Sequence, residues 1–598
     1  MRALGGRRAL GSRRCRSPRA RRPFRGPWAA RALLFAALCL AAQTALAQAP
    51  IDLLGGDRPI DRGPIPRRAP SPSSDEAFEL LPPPAPSPRE WGEAGAADAG
   101  HVVGGDTVAL RAVELRGNTV IETAVLEAAA EPFLGRALDA EGVEALRRRL
   151  SEVYVEAGYV NSGAVVPPQA VNEGRLVVEL VEGRLAEIRI SGTRSYRASV
   201  LKARLARDLA GPLAMDRLDR SLRILDQDPR IERLAARLLP GAARGEAILD
   251  VVVLEAEPRQ LGLFFDNHET PSVGAYAGRI ALSHANALGF GDAIGLELTK
   301  TEGLTRLRGS YALPLHPNGP RLLVDGNATL AELVDGAFDD LDIETTNASL
   351  GIGLGQTVFH GVDDRVDLSL VFELRRSRTE LLGRGFSFGD DGTQSGRAEV
   401  RVLRAAADWT HRGERSALSL RSMMSFGLDV LGATHHAGDT PDGVFVSWLG
   451  QARGTYRLPR SGVELRLRGD LQLADRPLLS LEQYSVGGPG SVRGVRRNLL
   501  VRDQGFAAAL DVFVPLWRSA DERPIVAFVP FLDVGRAWQR DRPTSGKRTI
   551  SGAGAGLAWS PHPQLEFEVE FAKAIRETDD SGDLQDDGVY LRAVGWAF

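Results

Sequence analysis

Beyond "EPRQ" (257–260), apolar and polar residues alternate in a long series of runs of about ten residues. "YAGRIALSHA", "VDLSLVFELRR", "VELRLRGDLQL" and "LEFEVEFAKA" are typical, and sixteen such runs can be marked out between 258 and 598. A period of two places successive side chains on opposite faces of a strand. Ten-residue segments of this kind, separated by turn residues, are the pattern of a transmembrane β-barrel, with apolar side chains toward lipid and polar ones toward the lumen. The connections alternate as well. Even-to-odd ones are short ("HPNGP", "HGVDD", "PRSG"), whereas odd-to-even ones are mostly longer and more polar, such as "ELLGRGFSFGDDGTQSGR". Short periplasmic turns and longer extracellular loops give this asymmetry. A soluble β-sandwich predicts fewer strands and no such rule.

Upstream, from about 106 to 256, the period changes and one pattern occurs twice. A strand-like "VALRAVELRGN" (108–118) is followed by three- and four-residue apolar spacing in "TAVLEAAAEPFL" and "DAEGVEALRRRLSEVYVEAGY". Two strand-like runs then close the unit, "SGAVVPP" and "GRLVVELVEG". "LAEIRISGT" (185–193) opens the second copy, with helices predicted around 195–209 and 214–227 and closing strands in "RIERLAARLLPG" and "EAILDVVVLEA". Strand–helix–helix–strand–strand in tandem predicts two small α+β modules, at 106–183 and 184–257. Residues 48–105 are rich in proline and polar groups, which predicts an extended linker in which only "SDEAFELL" has a helical pattern.

Composition sharpens this picture at the amino-terminal end. Residues 1–31 hold eleven arginines and no acid, "ALLFAALCLAA" (32–42) is apolar, and "ALA" (45–47) supplies small residues. This is the pattern of a secretory signal peptide over 1–47, cut after Ala47. Cys15 and Cys39, the only cysteines, fall within it, so cysteine chemistry is excluded from the mature chain. Removing eleven arginines leaves 63 basic against 77 acidic side chains, a net charge of −14. That balance argues against nucleic-acid binding. No later run of about 18 apolar residues exists, so no spanning helix is expected.

Little of the candidate chemistry survives its context. "GFSFG" (385–389) fits G-x-S-x-G, but the nucleophile elbow needs a buried strand before it and a helix after it. Here it lies in a polar loop. His435 and His436 read as solvated neighbours in a glycine-rich loop. "GIGLG" (351–355) and "GAGAG" (552–556) match no nucleotide motif. Their alternate glycines share one strand face, where they would let another element approach closely. No enzyme activity, metal or cofactor is expected. "YSVGGPGSVRGVRRN" (484–498) is different: it follows the eleventh strand, so it is extracellular by parity, and it packs three arginines among four glycines. Two strands later comes "FLDVGRAW" (531–538). There Asp533 shares a face with Phe531 and Gly535, and an acid is less costly toward the lumen than toward lipid.

"GGPGSVRGVRRN" together with "FLDVGRAW" resembles two motifs of the TpsB transporters of two-partner secretion, relatives of the BamA insertase. "ELRGNTVI" (114–121), "VYVEAGYVNSGAVVPPQ" (153–169) and "GRLAEIRISG" (183–192) resemble polypeptide-transport-associated (POTRA) modules. The resemblance implies two POTRA domains followed by a 16-stranded antiparallel transmembrane β-barrel over 258–598. It further implies an outer-membrane pore that takes an unfolded partner exoprotein from the periplasm to the cell surface without nucleotide hydrolysis, as in haemolysin and adhesin secretion and activation. Outer-membrane lipid and lipopolysaccharide would surround the barrel, and the barrel assembly machinery would insert it. In such transporters the sixth extracellular loop folds into the barrel. Carried over, Arg493 of Val492–Arg493–Gly494 would pair with Asp533 of Phe531–Asp533–Gly535. Val495 stands where the family usually has an aromatic, and no amino-terminal plug helix is expected from 48–105. Arg496 and Arg497 read as solvated or pore-lining charge. The competing functions are an outer-membrane protein assembly factor and a passive porin or uptake channel.

Overall fold

The computed structural model describes residues 107–169, 173–334, 342–387, 395–436, 440–575 and 584–597. The expected signal peptide and linker, "SDEAFELL" included, and Phe598 lie outside the described residues.

The first module begins with β1 (Ala112–Arg116), followed by α1 (Thr123–Ala130) and α2 (Ala140–Glu156). It ends with β2 (Gly163–Val165) and β3 (Arg175–Val181). Asp139 starts α2 by accepting a bond from the Gly142 backbone N–H at 2.8 Å, the usual role of an acid just before a helix. Leu146, Leu150, Val153 and Tyr154 then recur on one helix face and are buried against the sheet residues Leu176 and Val178. The sheet order is β1-β3-β2, with β1 parallel to β3.

The second module repeats the design with β4 (Arg184–Ser191), α3 (Ala198–Asp208), α4 (Met215–Asp226), β5 (Ile231–Pro240) and β6 (Glu246–Glu255). Its sheet order is β4-β6-β5. Leu201, Leu205, Leu218 and Leu222 pack over Leu249 and Val251. Beside this apolar core sits a buried polar hub. Asp228 accepts Arg204 Nη1 at 2.6 Å, Arg230 Nη1 at 3.2 Å and the Tyr196 hydroxyl at 2.8 Å. Burial alone would push the Asp228 carboxyl up, but the two guanidinium groups pull it well below the usual carboxylate range. The linkage sign follows from that depression. Its stabilisation is complete above the unfolded aspartate value of about 3.9 and declines as pH falls from there toward the lower folded value. Asp228→Asn is therefore expected to cost about 3 kcal/mol at neutral pH. It should also flatten the loss of stability below about pH 4. Protease resistance of the periplasmic modules in detergent-solubilised protein, followed against pH, checks both effects.

The barrel opens with β7 (Arg259–Asp266), β8 (Ala277–Ala285), β9 (Ala293–Lys300), β10 (Leu304–Pro314) and β11 (Arg321–Glu332). The longest strands follow: β12 (Ile343–His360), β13 (Asp364–Leu381) and β14 (Arg397–Arg412). Next come β15 (Ser416–Gly427), β16 (Val446–Arg457) and β17 (Glu464–Ala474). The series ends with β18 (Gln504–Arg518), β19 (Pro524–Trp538), β20 (Thr549–His562), β21 (Leu565–Ala574) and β22 (Val589–Ala597). Neighbours pair antiparallel throughout, and β22 closes onto β7 from Arg592↔Asp266 to Ala597↔Leu261. This is the closed sixteen-stranded antiparallel barrel that the alternation predicts. Closure leaves no unpaired strand edge in the hydrocarbon. No helix among the described residues is long and apolar enough to cross a membrane.

Alternation also fixes the two surfaces. On β12, Leu350, Ile352 and Leu354 are exposed outward, between the inward glycines 351, 353 and 355. On β19, Leu532 and Val534 point outward, while Phe531, Asp533 and Ala537 are buried inside. The second module packs against the short turns of the barrel. Gln227 Nε2 donates to the Val362 carbonyl at 2.7 Å, and Asn318 Nδ2 donates to the Ala203 carbonyl at 3.0 Å. The Arg197 guanidinium lies 4.0 Å above the Phe290 ring. The short-turn end is thus the module end, as loop parity requires.

Candidate functional site: a loop clasped inside the barrel

The connection from β17 to β18 runs from 475 to 503 and folds inward. Tyr484–Val486 pairs with Leu500–Arg502 as a short hairpin, and the tip beyond it lies against the inner wall of β18–β22. Gly487, Gly488 and Gly494 have φ of +129°, +80° and +84°, a region open to glycine and strained for most other residues.

Arg493 is fully buried, and three lumen-facing carboxylates surround it. Its Nε donates to Asp533 Oδ2 at 2.6 Å and its Nη2 to Asp533 Oδ1 at 2.7 Å, a two-pronged contact. The Arg493 backbone N–H adds a bond to Asp533 Oδ2 at 3.0 Å. Nη2 also reaches Asp511 Oδ1 at 2.6 Å, and Nη1 reaches Glu570 Oε1 at 2.8 Å. The guanidinium carbon stands 3.3 Å from the centroid of the Phe531 ring, so one face of the cation rests on an aromatic surface. A planar fork suits this arrangement, because five N–H groups in fixed directions can serve several acceptors at once. Asp533 is as completely buried as Arg493.

The remaining residues of both motifs have steric duties. Val492 is buried with Val486, Val495, Leu500, Ala507, Ala537 and Ile550. A Cβ at Gly535 would stand 2.4 Å from Val486 Cγ1 and 3.0 Å from Val492 Cγ2, so glycine there makes room for the loop. The Gly494 N–H donates to the Tyr590 hydroxyl at 2.9 Å, and a Cβ on Gly494 would meet the backbone of Lys573 and Ala574 at 2.8 Å. On β20, a Cβ at Gly552 would lie 1.9 Å from the Arg493 carbonyl oxygen. Within "GAGAG", Gly552 thus lets the loop backbone approach closely, whereas a Cβ at Gly554 or Gly556 would meet β21 instead.

The structure goes beyond the sequence reading at three points. Asp511 and Glu570 are partners of Arg493 that motif reasoning missed; each carried only the signal of an acid on the inward face of its strand. Arg496, read as solvated or pore-lining charge, is ion-paired, donating to Asp586 Oδ1 and Oδ2 at 2.7 and 2.8 Å. Arg497 likewise meets Glu269 at 2.7 Å. Val495, in place of an aromatic, is buried in the apolar cluster.

A closed outer-membrane barrel preceded by two small α+β modules, with an arginine-bearing loop clasped inside, defines a class: a polypeptide transporter of the bacterial outer membrane. The family model described as "Haemolysin secretion/activation protein ShlB/FhaC/HecB" matches residues 245–559, and "POTRA domain, ShlB-type" matches 108–183. The chain belongs to this haemolysin secretion/activation family, the TpsB transporters of two-partner secretion. The heme/hemopexin transporter protein HuxB of Haemophilus influenzae (strain 86-028NP) is 20% identical over 78% of this chain and 83% of its own length. The outer membrane transporter CdiB-2 of Burkholderia pseudomallei is 22% identical over 72% of this chain and 73% of its own. Among solved structures, CdiB from Escherichia coli superposes with a TM-score of 0.61 at 19% identity, covering 83% of this chain and 92% of that one. BamA from Haemophilus ducreyi, lacking its first three POTRA domains, gives 0.51 at 14% identity, covering 81% and 99%. Family membership makes this protein an outer-membrane transporter of a secreted partner exoprotein, with its POTRA domains in the periplasm.

Proposed function

We propose that the Arg493 clasp is the releasable anchor of the transport loop: the loop must dock there to ready the pore and must leave for the partner to pass, so loss of docking and loss of release both stop export. The carrying observation is the burial of Arg493 among three lumen carboxylates, because a loop held there occupies the route a polypeptide must take. Val492, Gly494, Phe531 and Gly535 serve the same anchor by shaping its bed. On this reading the site performs no bond-making chemistry and the chain is not an enzyme. Ser387→Ala is expected to leave export unchanged, and a loss of export in that variant would contradict this.

Capture falls to the periplasmic modules. Strand β1 lies at one edge of its sheet and β4 at one edge of the other. A groove beside β1 is lined by Val113, Leu115, Glu131 and Leu134. An edge strand with free backbone groups can accept an extended segment of an unfolded chain. Folding of the cargo outside the cell would then favour onward movement without nucleotide. Residues 1–47 act in this scheme as the signal peptide, 48–105 as a linker, 106–183 and 184–257 as the two modules, and 258–598 as the barrel. The barrel would be inserted by the assembly machinery, sit among lipid and lipopolysaccharide, and conduct ions as a porin when the loop is displaced.

Deleting 106–256 tests the division of labour. Export of the partner is expected to cease while a heat-modifiable barrel remains in the outer membrane; undiminished export contradicts module capture. Depletion of the protein is expected to spare unrelated outer-membrane barrels. Their loss would point to an assembly factor, and solute uptake without any exported partner would point to a passive channel.

A further inference from the structure

The same loop is fastened a second time, at its stem. Glu482 is buried, and it accepts Arg375 Nη1 at 2.7 Å and Arg404 Nη2 at 3.0 and 3.1 Å. These arginines face the lumen from neighbouring strands β13 and β14, the seventh and eighth of the barrel. Arg404 also donates from Nε to Glu373 at 2.7 Å and from Nη1 to Ser425 at 2.7 Å. The Arg493 clasp lies on the twelfth, thirteenth and fifteenth strands, at least four strands farther round the wall. The loop is thus a strap held at two separate places on the lumen wall.

The two fastenings differ in kind. At the stem, two guanidinium groups meet two carboxylates, so the charges balance. Leu478 and Leu479 anchor the backbone there against Val400, Val402 and Phe445. Asp503, fully buried, ties the start of the loop to the wall by accepting from the Leu478 N–H and the Arg540 N–H, each at 2.9 Å. At the tip, one guanidinium faces three carboxylates, an excess of negative charge that favours hydration once the loop leaves. Between stem and tip stand Gly487 and Gly488, both at positive φ, which gives the chain a joint just where the stem hairpin ends.

We propose that Glu482 is a positioning residue of the transport loop: it pins the stem to β13 and β14 as a fixed pivot, and the tip bearing Arg493 swings about Gly487–Gly488. The inference rests on the proposed anchoring role of Arg493. Withdrawal of the whole loop would separate a neutral buried ion cluster and expose Leu478 and Leu479, whereas rotation at the glycine pair breaks only the tip contacts.

Two disulfide tethers in the full chain separate these motions, and no cysteine follows Cys39 to confuse them. Asp442 and Leu478 are bridge partners, so Asp442→Cys with Leu478→Cys locks the stem. Val495→Cys with Ala574→Cys, which share the apolar cluster under the tip, locks the tip. Export of the partner from whole cells, with and without reductant, is the readout. The stem tether is expected to leave export intact, and the tip tether to stop it until reductant is added. A stem tether that stops export reversibly overturns the fixed pivot. A tip tether without effect contradicts instead the release of Arg493, a distinguishable failure. In parallel, Glu482→Gln is expected to lower export about tenfold through loss of one charge-assisted contact, with heat-modifiable migration unchanged. Exchanging the charges (Glu482→Arg with Arg404→Glu) should recover part of it. Full export by Glu482→Gln overturns the positioning role.

Discussion

Arg493→Ala is expected to leave a folded, inserted barrel that exports almost none of its partner. The substitution removes the guanidinium that Asp511, Asp533 and Glu570 share in the clasp and leaves all three carboxylates without it. Breaking a buried pair costs about 3–5 kcal/mol, and a shift of that size lowers the docked fraction of the loop by roughly a hundredfold or more. Water reaching the open lumen screens part of the residual repulsion, which is why the barrel itself should survive. Arg493→Lys is the informative intermediate. An ammonium keeps the charge but cannot hold Asp533 with two prongs while touching Asp511 and Glu570, so it should retain only a minor part of the activity. Export by cells producing the partner, normalised to heat-modifiable barrel in the outer membrane, measures both. Wild-type export by the alanine variant would remove Arg493 from the mechanism.

Gly552→Ala is the second large effect expected, and it arises without touching a charge. The added methyl would stand 1.9 Å from the Arg493 carbonyl oxygen. That obstacle is backbone, so no rotamer change relieves it and the loop must lift from β20. Overpacking of this kind typically costs about 1–3 kcal/mol, enough to displace the tip and raise the ion conductance of the pore. Gly278→Ala on β8 is the control. A Cβ there has nothing within 4 Å, so conductance and export should stay unchanged. Equal behaviour of the two variants in planar bilayers would show that the close approach at Gly552 does not guide the loop.

Much of this architecture was readable from residue order because the barrel imposes the simplest of periods. Strand after strand had to carry lipid on one face and water on the other, so alternation and loop length together gave strand number and orientation. The modules were legible for the opposite reason: Leu146, Leu150 and Tyr154 on α2 keep a helical period that no strand can use. For the clasp, the sequence was informative only in part. Arg493 and Asp533 sit in recognisable stretches, and alternation put Asp533 with Phe531 and Gly535 while leaving open which face looked inward. Asp511 and Glu570 have no such stretch. Each is one inward acid among many, and only the folded path of the loop selects them. The same holds for Glu482, whose partners Arg375 and Arg404 lie about eighty to a hundred residues earlier in the chain. Arg496 and Arg497 read as solvated or pore-lining charge because their partners, Asp586 and Glu269, are also remote in sequence. Glycine spacing was informative too, since 552, 554 and 556 share a face whatever the tertiary fold, although only 552 proves to lie under the loop.

Charge reversal at the two central partners is the most direct test of the clasp as the switch of transport. In Arg493→Asp, a fourth carboxylate joins Asp511, Asp533 and Glu570, and export should be lost. Adding Asp533→Arg restores an opposite pair across the same interface, although Asp511 and Glu570 now neighbour the new acid, so recovery should be partial. Partial recovery in the double variant, with both single reversals inactive and all barrels inserted, is the predicted result. Normal export by Arg493→Asp alone would contradict it.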